Sequence, residues 1–535
     1  MKLALIWVAV TAYNLFKPYH VDDAVHLAIA RWIAAHPLHP MSGNLNLGGF
    51  KGPISGMNQP PLYFYLLAIW GSLLGYGEAT MHALQSLFSL AAILLFHRIA
   101  QRLVPANALW LTAMLALGPA VAVEQNLMVD VPLLSLWLLF FDALIVGADL
   151  DPSQQRRRFL VAALACSAAI LVKYSTLALL PILPIVIAYE RRWRLIWTCL
   201  IPFAVIIAWS AFNYFDYGHI HMAQRPVHVT RGTFDLPLRR FVALLVTLGA
   251  ITPIGLIVAV RRISLLRRQG PAIYAAAIVL FLLFVMAVAL EWLSGDFGDT
   301  LLSVGFLLNA AAMVFGAALP FARRLTEPRP LLPPNPADLG LLVLVLWIVG
   351  HTTFYSLFAP FMAARHVLPV LPAVLLVCAL SWPARLPRAD AVFGLSTTIA
   401  LSLMLGWADW RFAAFFRDEA VAIRSALPSQ ARIWFAGGFG WVWYAERAGF
   451  QPIDWEQPQL EPGDFLATLH DADLQPLRSR MRLDLVRSES GRSENADPFC
   501  TVNGFYAVPF AEFTKGPWQV TTRCINTIDL YRVAS

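Results

Sequence analysis

RRISLLRRQGPAIYAAAIVLFLLFVMAVAL, residues 261–290, holds four arginines in its first ten positions and no charged residue in the next twenty. About twenty apolar residues make a helix long enough to cross a bilayer, where every backbone polar group must be satisfied within the segment. A basic cluster flush against such a stretch marks the cytoplasmic side. The rest of the chain repeats this pattern. Of its 535 residues 58% are hydrophobic and only 14% are charged, against about 25% charged in soluble domains. Too few polar residues remain to cover a water-facing surface, which excludes a cytosolic enzyme, a disordered scaffold, a coiled coil and a nucleic-acid binder. The net charge of +7 sits in loops between spans, so no nucleic-acid partner is expected. The fold class expected is an all-α polytopic membrane protein.

Apolar windows fall at 3–16, 79–97, 107–124, 131–148, 159–172, 174–189, 195–214, 241–260, 271–290, 300–320, 338–357, 366–382 and 391–407, about thirteen spans. The stretch 61–76, PLYFYLLAIWGSLLGY, is either a further span or a helix lying at the interface. Arg98/Arg102, Arg156–Arg158, Arg191/Arg192/Arg194, Arg261/Arg262/Arg267/Arg268, Arg323/Arg324/Arg329 and Arg385/Arg388 fall in alternate loops, and crossing by 61–76 would invert everything after it and put these clusters outside. It is therefore expected to be juxtamembrane, with the N-terminus cytoplasmic. The alternative for residues 1–16, a cleaved signal peptide, lacks a small-x-small site followed by polar sequence. Residues 1–407 then form the membrane domain, 18–78 its first extracytoplasmic loop, and 408–535 a small extracytoplasmic α/β domain. In that domain Arg432–Ala436 and Asp464–Leu469 read as strands, Gly437–Gly440 as a turn and Trp441–Ala448 as a helix. Cys166, Cys199 and Cys378 lie in spans. Cys500 and Cys524 lie in the outer domain, where an oxidising compartment favours a disulfide between them.

Four outer places gather polar residues, which membrane proteins retain for function. Asp22-Asp23 follow the first span, with His26 one turn on. Either Asp suits a helix N-cap, or a carboxylate serves as a general base, mutual repulsion raising the pKa of one of the pair. Asn58-Gln59 precede two prolines and offer amides to a phosphate or sugar. Glu124 to Asp130 (EQNLMVD) sits at the mouth of two spans. Lys173 lies between two spans and Arg365 just before the twelfth; together they suit a phosphate, one as a point charge and one as a fork. Gly-x-Ser-x-Gly, a P-loop, His-Glu-x-x-His and Cys-x-x-Cys are all missing from the sequence. Gly437-Gly438-Phe439-Gly440 lacks the spacing of a nucleotide fingerprint, and the histidines form no metal set.

VDDAVHLAIARWI, NQPPLYFYLLA, EQNLMVDVPLL, LVKYSTLALLP and ARHVLPVLP, in this order, resemble the GT-C glycosyltransferases, closest to the protein-mannosyltransferase and aminoarabinose-transferase group (glycosyltransferase family 39 and its neighbours). IWFAGGFGWVWYAERAG is similar to the C-terminal region of bacterial members. The resemblance spans nearly the whole chain and implies a GT-C fold. It also implies an enzyme of the plasma membrane that moves a sugar from a polyprenyl-phosphate donor, undecaprenyl or dolichyl, to an extracytoplasmic protein, lipid or glycan. It makes Asp22 the catalytic base with Asp23 beside it, Asp130 a residue placing the acceptor or the base, and Lys173 and Arg365 the donor-phosphate contacts. His26, Asn58 and Gln59 complete the substrate site. Asp23 stands where relatives usually have Glu, Gln59 where His or Lys is common, and His366 where Tyr is usual. These departures bear on the donor headgroup. Relatives differ over a divalent metal, and no ligand set decides it here. The rival class, a transporter or lipid flippase, calls for repeats and midplane charges; no repeat is present, and Asp142, the exception, lies towards the inner end of its span.

Overall fold

The structure is a computed structural model. It describes all residues except 50, 146–149, 225–234, 327–335, 383–384, 455–459, 471–481, 493–498, 502–504, 507–515, 522–524 and 535. Among the described residues six helices are long and apolar enough to cross a membrane: Glu78–Leu103, Trp193–Tyr217, Gly270–Ala289, Gly295–Arg323, Asp338–Phe358 and Arg388–Ala426. A seventh span is formed if the pair Leu236–Ala250 and Ile254–Arg262, bent by 87°, is counted as one. The break falls at Pro253, which has no N–H to continue the ladder. Asn309 repairs it: its amide donates to the Gly249 and Thr252 carbonyls at 2.7 and 2.6 Å and accepts from the Leu256 N–H at 3.1 Å. Backbone freed inside a bundle is tolerated when satisfied in this way.

The other windows are shorter or broken, and proline is the recurrent reason. Window 107–124 becomes Ala108–Ala116 and Pro119–Ala122, and 174–189 becomes the 3-10 turn Tyr174–Leu179 and helix Ile182–Tyr189. Window 366–382 becomes Ala364–Val367 and Leu371–Leu380. Counting apolar windows therefore exceeds the number of long helices. The ambiguous stretch forms helix Leu62–Leu74. At 1.5 Å per residue it spans about 20 Å, against a hydrocarbon thickness of about 30 Å.

Polar residues collect at the two ends of the bundle. At one end Asp142 receives Arg102 at 3.0 Å and Arg98 at 3.1 Å, Arg158 pairs with Glu190, and Asp390 holds Arg261 and accepts from Tyr274 at 3.0 Å. Asp130 begins the helix Asp130–Leu144 whose far end carries Asp142, so Asp142 belongs with the arginine loops.

The last long helix runs from Arg388 to Ala426, so the boundary drawn at 407/408 falls inside it. Beyond it lies a five-stranded mixed sheet in the order Gln451–Pro452, Ile433–Ala436, Phe465–Leu469, Ile525–Val533, Leu483–Arg492. Helix Phe439–Arg447 crosses over between the parallel strands Ile433–Ala436 and Gln451–Pro452. The tail grips the membrane domain by close backbone approach. A Cβ on Gly440 would lie 2.1 Å from the Tyr19 carbonyl, and one on Gly49 would lie 2.4 Å from the Gly437 carbonyl. Tyr444 Oη accepts from the Tyr19 N–H at 2.8 Å, and Trp518 donates to the Ala250 carbonyl beside the broken span at 3.0 Å. Cys500 is disulfide-bonded; Cys524 lies outside the described residues. Cys166, Cys199 and Cys378 are free thiols.

Candidate active site

The acidic pair is set by a backbone outlier. Val21 has φ +46°, a left-handed conformation costly for a β-branched residue and typical of functional turns. It turns the chain into helix Asp23–Ala35 and gives the two carboxylates different surroundings. Asp23 is fully buried, and its oxygens accept the His20 N–H at 2.8 Å and the Leu127 N–H at 2.7 Å. Burial pushes its carboxyl up to about 7, against the backbone donors and Lys17, with Asp22 adding a smaller push. The raised member of the pair is thus Asp23, and desolvation outweighs repulsion as the cause. Asp22 occupies the N-cap position but makes no side-chain cap bond. It is half-buried, and no hydrogen bond or ion pair to its carboxylate occurs among the described residues. The capping role that its position allows goes unused, leaving an acceptor open to a substrate proton.

The stretch Glu124–Asp130 packs behind it. His26 is buried and sits with Nδ1 2.7 Å from the Leu127 carbonyl, so Nδ1 carries the proton. Burial draws its pKa down, opposed by Asp22; the ring is therefore neutral. Glu124 is fully buried, and neither of its carboxylate oxygens has a hydrogen-bond partner among the described residues.

The two expected cations converge on Asp130. Lys173 Nζ donates to Asp130 Oδ1 at 2.6 Å, and Arg365 Nε lies 3.9 Å from Oδ2. Lys173 is 18% exposed and Asp130 1%. Burial disfavours the ammonium, but Asp130 and Tyr355 hold its pKa above the ordinary value despite Arg365. Arg365 likewise overcomes burial through Asp22, Asp130 and Glu124, while its Nη1 is buried without a partner among the described residues. A buried guanidinium N–H left unpaired beside a lysine with protons to spare calls for an anion. The Asn58–Pro61 turn lies beside the Lys173 loop, because Leu62 N–H donates to the Leu171 carbonyl at 3.1 Å. Gln59 there is half-buried and Asn58 exposed. Asp22, His26, Asp130, Lys173 and Arg365 are thus brought together; Asn58 and Gln59 lie at the rim.

Sequence reasoning missed an adjacent network centred on Asp409. This fully buried carboxylate takes Lys17 and Tyr506 (2.9 Å) on Oδ2, and His20 (3.1 Å) and Thr501 (3.1 Å) on Oδ1. Lys17 also donates to Asn126 Oδ1 at 2.7 Å, and Asn126 to Tyr506 Oη at 2.8 Å. The signal was an aspartate within an apolar helix, between Trp407 and Trp410, where a charge is retained only with partners. Among the described residues no set of three His, Cys, Asp or Glu is placed to hold a metal. A cavity of about 550 Å³ lined by Leu90, Leu94, His97 and Gln101 lies towards the opposite end of helix Glu78–Leu103, apart from this chemistry.

Fold and cluster together define a polytopic membrane protein with carboxylates and cations gathered at one end of its bundle. Residues 58–215 match the family model described as dolichyl-phosphate-mannose-protein mannosyltransferase, a stretch that includes Glu124, Asp130 and Lys173. Among solved structures the chain is similar to ArnT from Cupriavidus metallidurans bound to undecaprenyl phosphate, with 13% identity over 88% of this chain and 92% of that one at a TM-score of 0.49. It is also similar to the Archaeoglobus fulgidus oligosaccharyltransferase tethered with an acceptor peptide, with 14% identity over 84% of this chain and 62% of that one at 0.47. The archaeal oligosaccharyltransferase AglB from Archaeoglobus fulgidus, in complex with an inhibitory peptide and a dolichol-phosphate, matches with 14% identity over 86% and 60% at 0.43. No curated protein matches the sequence.

Proposed function

We propose that this integral membrane protein is a glycosyltransferase that moves a sugar from a polyprenyl-phosphate donor to an extracytoplasmic acceptor. The observation that carries the reading is the juxtaposition of an unengaged carboxylate, Asp22, with two cations that still have hydrogen-bonding capacity, Lys173 and Arg365. A family match over residues 58–215 to mannosyltransferases described by a dolichyl-phosphate sugar supports it. The acceptor O–H attacks the anomeric carbon as Asp22 takes its proton. The bond from that carbon to the phosphate oxygen breaks with its electron pair, and Lys173 and Arg365 stabilise the charge that develops on the leaving phosphate. One displacement inverts the anomeric centre. Asp130 holds the two cations about the phosphate; His26, Asn58 and Gln59 complete the substrate surface. No step is assigned to a metal.

On this reading the site faces the extracytoplasmic side of the plasma membrane, and the arginine loops and Asp142 face the cytoplasm. The separation of the two polar ends, with no chain of charged side chains joining them among the described residues, favours transfer over a flippase. The test is transfer of radiolabelled sugar from a panel of polyprenyl-phosphate donors by purified protein in native-like lipid, with Asp22→Ala alongside. Label reaching an acceptor, or slow release of free sugar, abolished in Asp22→Ala while the fold survives, supports the reading. Donor that is bound or moved across the bilayer but never consumed overturns it.

A further inference from the structure

The tail domain reaches the cationic site through one segment. Immediately after the disulfide-bonded Cys500, Thr501 and Tyr506 both donate to Asp409. The Phe505 carbonyl accepts the Ala364 N–H at 2.9 Å, directly beside Arg365. Tyr506 is buried, donates to Asp409 at 2.9 Å and accepts from Asn126 at 2.8 Å. Asn126 belongs to the loop that carries Glu124 and Asp130. Three pieces distant in sequence are therefore tied by this segment: the four-residue helix Ala364–Val367 bearing Arg365, the stretch Glu124–Asp130, and the last long helix. So short a helix has little stability of its own; its position is set by what holds it. Asp409 needs all four donors, since a buried carboxylate offers about four lone-pair sites and each is taken.

We propose that Tyr506 is a positioning residue of the transfer site, through which the tail domain fixes Arg365 against the phosphate of the donor. The tail is then part of the donor clamp, beyond any contact it makes with the acceptor. The inference rests on the transferase reading. Tyr506→Phe keeps the ring and removes only the hydroxyl, so packing is preserved while the ties to Asp409 and Asn126 are lost.

The experiment uses full-length protein in lipid nanodiscs and reads three quantities for wild type, Tyr506→Phe and Thr501→Val. These are binding of undecaprenyl phosphate, the donor KM and kcat of transfer, and the thermal midpoint. The expected result is a rise of about tenfold in the undecaprenyl-phosphate Kd and donor KM for Tyr506→Phe, the scale of one charge-assisted hydrogen bond. kcat falls by less than KM rises, the thermal midpoint drops modestly for the lost buried hydrogen bonds, and Thr501→Val shows a smaller shift of the same sign. A lowered midpoint with unchanged Kd and KM makes Tyr506 merely structural and overturns the proposal. Unchanged values throughout do the same. Wild-type protein that binds no polyprenyl phosphate overturns the transferase reading and this inference with it, whereas wild-type binding matched by Tyr506→Phe overturns this inference alone.

Discussion

Two polar clusters both draw on residues 17–23 and 124–130, and they are built to opposite rules. Around Asp409 every lone pair is used: Lys17, His20, Thr501 and Tyr506 fill one carboxylate. Around Arg365 polar capacity is left over, on Arg365 Nη1, Asp130 Oδ2 and both oxygens of Glu124, and on Asp22. Buried polar groups are normally satisfied, so a saturated cluster speaks of stability and an unsaturated one of a ligand. The adjacent aspartates show the difference at the smallest scale, Asp23 spent on two backbone donors and Asp22 held free by a strained Val21.

The sharpest way to break this contrast is to remove one carboxylate from each cluster. Asp22→Asn should lower transfer by about 10²–10⁴-fold, the usual contribution of a positioned general base, with the thermal midpoint nearly unchanged. Asp409→Ala should act first on stability. It strands Lys17 as a buried unpaired charge, a loss of about 3–5 kcal/mol, visible as a fallen midpoint or as a poor yield of folded protein. If Asp22→Asn melts early, or Asp409→Ala melts like wild type, the division between the clusters is wrong. The next effect in size belongs to Lys173→Met. It removes one of two cations from the proposed phosphate site, so donor affinity should fall by about one to two powers of ten. Arg365 keeps Asp130 partly paired, and the fold should survive; unchanged donor binding would remove Lys173 from the site.

What the sequence showed follows the same division. Long uninterrupted windows such as 271–290 read directly, because twenty apolar residues admit one structure in a bilayer. Three of the four outer places stood out because ionisable residues at span ends are conspicuous against an apolar background, and Asn58-Gln59 stood out by the two prolines that follow. Windows holding Pro119, Pro181, Pro253 or Pro369 were read as spans, although hydropathy is blind to where a helix breaks. Asp409 and its partners stayed hidden for a different reason. Lys17, Asp409 and Tyr506 are nearly 400 residues apart at the widest in pairwise bonds (|i−j| = 392), and nothing local announces such a meeting. Which of Asp22 and Asp23 was free could not be read either, since it depends on the Leu127 N–H arriving from another loop.

The smallest expected effect isolates that last distinction. Asp23 is raised in the folded protein to about 7 from an ordinary value of 3.8, so the folded state holds a proton that the unfolded chain has already released. The stability this provides is fully present below about pH 4 and is lost as the pH climbs through about 7. Wild-type thermal midpoints should therefore decline between pH 5 and 8. Asp23→Asn cannot titrate and turns an amide towards one backbone donor, so it starts from a lower midpoint but should show a shallower decline over the same range. Asp22→Asn should keep most of the wild-type slope, because Asp22 ranks behind burial, His20, Lys17 and Leu127 in setting the Asp23 carboxyl. Equal slopes in wild type and Asp23→Asn would mean that Asp23 is ionised across the range, and its burial would then be offset in full by its backbone donors and Lys17.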